Sequence, residues 1–71
     1  MTFEELWLRV KAMNTLPHTA IVQIPSVLSD ETKRKLSRTT PEEVAVIVKV
    51  AIREVNNGSV EPLDELIRER I

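Results

Sequence analysis

Apolar residues recur at helical spacing in three stretches of this chain, and at ambiguous spacing in a fourth. The clearest stretch runs from Thr40 to Gly58: Thr-Pro-Glu-Glu, then a nearly unbroken apolar series, then Asn-Asn-Gly. Thr40 can accept the orphan N–H groups of a first turn, Pro41 suits the first helical position, and Glu43 completes a capping box. Asn57-Gly58 offers the left-handed residue that commonly closes a helix. The pattern predicts a central helix over Pro41–Asn56. Upstream, Thr2 and Glu5 form a second capping box, and Phe3, Leu6, Trp7 and Val10 follow at i, i+3, i+4 and i+7. A first helix is predicted from Phe3 to Met13, ended by Asn14-Thr15, with Glu5 and Arg9 paired on its wet side.

Ser29-Asp30-Glu31 is a further helix start, an N-cap followed by acids at the positive end of the dipole. Leu36 is the sole large apolar residue behind it, so this helix is expected to be short and mostly solvated. Ser59 and Pro62 open a last helix, with Leu63, Leu66, Ile67 and Ile71 as its stripe and Asp64–Arg68 as an i,i+4 pair.

Residues 16–28 fit two patterns. Leu16, Ala20, Ile24 and Leu28 recur every four residues, which suits helical turns. Ala20, Val22 and Ile24 also alternate with Thr19, Ile21 and Gln23, which suits a strand. Pro17 and Pro25 bound the segment in either case and limit a regular element to about seven residues. Helix is the preferred reading. The central stretch has a contrary reading too. Seven of the twelve residues from Val44 to Val55 are β-branched, and Asn-Gly is a strong hairpin signal. Yet Val44 to Val48 does not alternate in polarity, and a capping box with Pro inside it serves no purpose in a strand. The expected fold is a single all-α domain over residues 1–71, a bundle of about four helices with a possible short strand at 19–24.

On a helical wheel the central helix has a broad face of Val44, Val48, Ala51, Ile52 and Val55, flanked by Ala45. Glu42, Lys49, Arg53 and Asn56 make a narrow polar strip opposite. Val46 and Val50 lie beside that strip, one turn apart, with Ile47 at their border. The broad face can take the stripes of the first and last helices. The Val46/Val50 pair requires other cover, either the segment around Ile21 and Ile24 or a second molecule. Val46, Ile47 and Val50, together with Leu63, Leu66 and Ile67 of the last stripe, are the candidate contacts to a partner or a second copy.

Composition narrows the possibilities further. A chain of 71 residues is near the lower limit for folding on its own core. With no cysteine, one Trp, one Phe and no Tyr, that core must be aliphatic and lacks disulfides and thiolate–zinc sites. A formal net charge of −1 exerts no global pull toward nucleic acid or anionic lipid. No apolar run reaches membrane-spanning length, and MTFEELWLRV lacks the layout of a signal peptide, so a cytoplasmic location is expected.

Candidate chemistry is sparse. His18 is the only histidine, with no Ser, Cys or carboxylate at a motif-like spacing to make a catalytic or metal site. The acids cluster in first helical turns, where capping and the dipole explain them. The single glycine excludes a glycine-rich phosphate loop. No enzyme, no metal or cofactor site and no small-molecule ligand is expected. Lys33, Arg34, Lys35 and Arg38 form the one basic cluster, but Asp30–Arg34 and Glu31–Lys35 pairing reads it as a solvated helix face. A helix-turn-helix fits poorly, because the helix after Ser37-Arg38-Thr39-Thr40 is too apolar to lie in a groove.

The run Thr19-Ala-Ile-Val-Gln-Ile-Pro-Ser-Val-Leu28, the charged helix after it, and Thr40-Pro-Glu-Glu-Val through Ala51-Ile-Arg-Glu54 together resemble a ribbon–helix–helix protein. The resemblance covers roughly residues 19–57. It implies a dimer whose paired strands read the DNA major groove, with Thr19, Ile21 and Gln23 toward bases and Lys33 or Arg34 toward phosphate. Glu61-Pro-Leu-Asp-Glu-Leu-Ile67 resembles the toxin-wrapping tail of antitoxins in that family. The first expectation is nevertheless a non-enzymatic helical protein that works by protein–protein contact, as a homodimer or subunit-binding module. A dimeric DNA-binding regulator or antitoxin is the alternative.

Overall fold

The computed structural model describes residues 1–71 and contains five helices and no strand. They are α1 (Phe3–Ala12), α2 (His18–Val27), α3 (Asp30–Leu36), α4 (Pro41–Asn56) and α5 (Leu63–Glu69). Three of them start as their sequences dictate. The hydroxyls of Thr2, Ser29 and Thr40 accept the N–H groups of Glu5, Thr32 and Glu43 at 3.3, 3.2 and 3.3 Å. Each satisfies a donor that the first turn leaves without a partner. Asn14 ends the α1 turn at φ +55° and Gly58 follows α4 at φ +94°, both left-handed.

Helix α2 bears out the preferred reading of residues 19–24 as helical, with no strand there, and the bundle's five helices are close to the about four expected. Pro25 does not bound the element but sits inside it. Proline has no N–H to offer the carbonyl four residues back, which here is that of Ile21. The indole N–H of Trp7 donates to that carbonyl at 3.0 Å. A side chain of α1 thus occupies an acceptor that the proline leaves open, and α2 continues one turn further than its prolines suggest. A smaller correction concerns α5, which stops at Glu69 and leaves Ile71 outside the helix, 43% exposed.

Helix α4 is the centre of the molecule. Its Val44, Val48 and Ala51 are fully buried, and α1 and α5 are its most extensive neighbours. Leu6, Val10, Leu36 and Ile67 complete the fully buried interior, with Ile24 of α2 nearly so. The sole aromatic pair, Phe3 and Trp7, stacks at 5.7 Å on the edge of this core. The Cα radius of gyration is 11.0 Å, which matches the roughly 11 Å of a folded chain this short. No helix is long and apolar enough to cross a membrane.

Candidate interaction surface

The six candidate contact residues divide between core and surface. Leu66 and Ile67 are 5% and 0% exposed, so they attach α5 to the molecule's own core and offer nothing to a partner. Leu63 is half-buried beside them. On α4, Val46 is 62% exposed, while Ile47 and Val50 are half-buried. Ile21 and Ile24 do not cover Val46. Ile21 turns toward Trp7, and Ile24 lines a groove with Ile52 and Leu63 on another side of α4. The side chains around Val46 are Glu42, Glu43, Ile47 and Arg70, and Arg70 is tied to Glu54.

The reason is geometric. Helices α1 and α5 occupy the broad face of α4 as its apolar pattern requires, and α2 reaches α4 only near its C-terminal end. The outward strip of α4 is therefore left largely in solvent: Glu42, Glu43, Val46, Lys49 and Arg53 are exposed, and Val50 beside them is half-buried.

The residues that a DNA-binding reading would use are not brought to one face. Thr19 and Gln23 are exposed on α2 and line the groove toward Ile52 and Val55. Lys33 lies on the other flank of α2, its ammonium 5.6 Å from the Phe3 ring centre. Arg34 is exposed on α3 and makes no ion pair, since Asp30–Arg34 does not close, whereas Glu31–Lys35 does at 3.9 Å.

Two further apolar areas were not singled out by periodicity. Leu8 of α1 and Val22 of α2, 64% and 60% exposed, face one groove above Phe3, Trp7 and Ile21. A second groove of about 550 Å³ lies between α2 and the α4–α5 junction, with Val27 and Val55 on its walls. Its polar groups are Thr19, Gln23, Asn56 and Glu61. Leu8 and Val22 each fall on the polar side of their own helix, so no single-helix pattern signals that they meet.

His18 is exposed at the start of α2, and no group of three or more His, Cys, Asp or Glu side chains converges as a metal site would require. Two carboxyls are shifted, one on α5 and one on its approach. The charge on Glu69, followed by slight burial and a hydrogen bond from the same residue, pushes the Glu61 carboxyl above its ordinary value. Burial pushes the Asp64 carboxyl up, but hydrogen bonds from Ser29 and Thr32 and the nearby Arg68 outweigh it and hold it below its ordinary value. No protein-family model, curated protein or solved structure matches the chain.

Proposed function

We propose that this chain is a small non-enzymatic helical protein that acts through protein–protein contact, beginning with a second copy of itself, with the cytoplasm as its expected location. The observation that carries this reading is the outer face of α4. Val46 and Val50 stand one turn apart on the longest helix, Val46 exposed and Val50 half-buried. The five helices already satisfy their own core, so what remains apolar at the surface is available for association.

Sedimentation equilibrium tests the proposal. The wild type is expected to be dimeric at micromolar concentration. The double substitution Val46→Glu, Val50→Glu should give a monomer that keeps its helical circular dichroism, because charge at an apolar contact is costly to bury. A wild type that stays monomeric into the millimolar range overturns the self-association reading.

The DNA-binding alternative would need Thr19 and Gln23 on a paired ribbon, and both stand on a helix here. Duplex binding that falls steeply with salt, and loses sequence preference on Gln23→Ala, would replace our reading with that one.

A further inference from the structure

The outward face of α4 is ordered along its length. Glu42 and Glu43 lie at its N-terminal end, Val46 and Val50 in the middle, and Lys49 and Arg53 toward its C-terminal end. All four charged side chains are exposed. None joins any ion pair within the chain, where the pairs that form use Glu31, Lys35, Glu54, Asp64, Glu65, Arg68 and Arg70 instead. Lys49 and Arg53 stand one turn apart, where like charges repel.

We infer that this face is complementary to itself: a second copy docks antiparallel along α4 about a two-fold axis level with Val48. The inference rests on the homodimer reading above and specifies which residues meet. Two residues before Val48 is Val46 and two after is Val50, so each Val46 packs on the other copy's Val50. Five before is Glu43 and five after is Arg53, so each Glu43 faces the other copy's Arg53. One register therefore aligns the apolar pair and the Glu43–Arg53 pair, each twice by symmetry, while Glu42 and Lys49 fall level with Glu54 and Ile47. Sliding it by one residue sets Val46 against Lys49 or against the buried Ala51. A parallel arrangement puts acid on acid and base on base.

The reach is adequate. Glu43 and Arg53 each lie about 7.5 Å along the helix from the axis level. At a crossing angle of about 50°, the helices diverge sideways by only about 6 Å at that point, within the span of a glutamate and an arginine side chain. A two-fold contact uses the same patch on both copies. Charges of opposite sign at the two ends of one helix face meet that condition when the second helix runs in reverse. An unrelated partner would not need this mirrored order.

The test is a charge exchange read by sedimentation and native mass spectrometry, using chains of two distinguishable masses. Glu43→Arg alone and Arg53→Glu alone should each weaken self-association at least tenfold, since every cross-pair becomes repulsive. An equimolar mixture of the two should recover dimers containing one chain of each kind, because both cross-pairs become attractive again. A misfolded chain cannot give this recovery. A second readout uses the absence of cysteine: Val46→Cys chains mixed with Val50→Cys chains under glutathione disulfide should form the mixed cross-link in preference to either self cross-link. Singles that dimerise like the wild type, a mixture that stays monomeric, or cross-links without preference would overturn this register while leaving the homodimer in place. A monomeric wild type would overturn both.

Discussion

The Asp64 carboxylate accepts the backbone N–H of Ser29 at 2.8 Å, so the first turn of α5 supplies a cap to the start of α3. Ser29 in turn accepts from the N–H of Thr32, and the two hydroxyls lie 3.0 Å apart. Thr32 is fully buried, and these bonds satisfy its hydroxyl. Arg68 closes the cluster from α5, 3.6 Å from Asp64 and 4.0 Å from Glu31. Two short helices that would be marginal alone in water are held by a contact between residues far apart in sequence.

Replacing Asp64 by Ala is expected to destabilise the fold by about 1–3 kcal/mol, because the Ser29 N–H loses its acceptor. Chemical denaturation measures this. The cost should appear in α3 as well as α5, as faster amide exchange at Lys33 and Leu36.

The same contact sets an acid limit. Hydrogen bonding keeps the folded Asp64 carboxyl below its ordinary value of 3.8, so its stabilisation is fully present above that value. It is lost as pH falls through the lower folded value. Thermal melts from pH 5 to pH 2 should show the wild type losing more stability than Asp64→Asn does, so that the gap between them narrows with acid. A gap that widens instead would mean the carboxylate is not held in this way.

Leu36 is fully buried, and with Thr32 it is one of only two residues of α3 that are. Leu36→Ala is expected to cost about 2–5 kcal/mol, the range for emptying a packed leucine site. In a domain this small each kcal/mol lowers the melting temperature by about 4–8 °C. Calorimetry should find the melting temperature of this variant at least about 8 °C below the wild type's, and a loss under about 1 kcal/mol would contradict the packing described.

Thr40→Ala removes the hydroxyl that caps α4. A loss of about 1 kcal/mol is expected, with Thr40→Ser restoring most of it.

The elements that repeat a strong local signal were legible from sequence. Thr2, Ser29 and Thr40 announce their helices by capping chemistry, which depends on residues three apart and on nothing distant. The bounds of α4 follow for the same reason. Residues 16–28 were not so plain, because their helix depends on a distant group: Trp7 supplies the donor that makes Pro25 tolerable at its position. Leu66 and Ile67 read equally well as core or as contact, since periodicity finds the apolar face of a helix and not what covers it. The Leu8/Val22 area was illegible because it joins the outward sides of two helices, and only the tertiary arrangement brings them together.

Trp7 is the only strong ultraviolet fluorophore, since the chain has no tyrosine and a single tryptophan. Its ring is 7% exposed and its N–H is bonded to α2. Emission from this indole therefore reports the seating of one helix, not the folding of the whole. Release of α2 would shift the spectrum to the red while far-UV ellipticity lost only the share of its own 10 residues, with α1 and α4 still in place. The Pro25 carried inside α2 thus leaves the molecule with an intrinsic optical probe of its own least conventional helix.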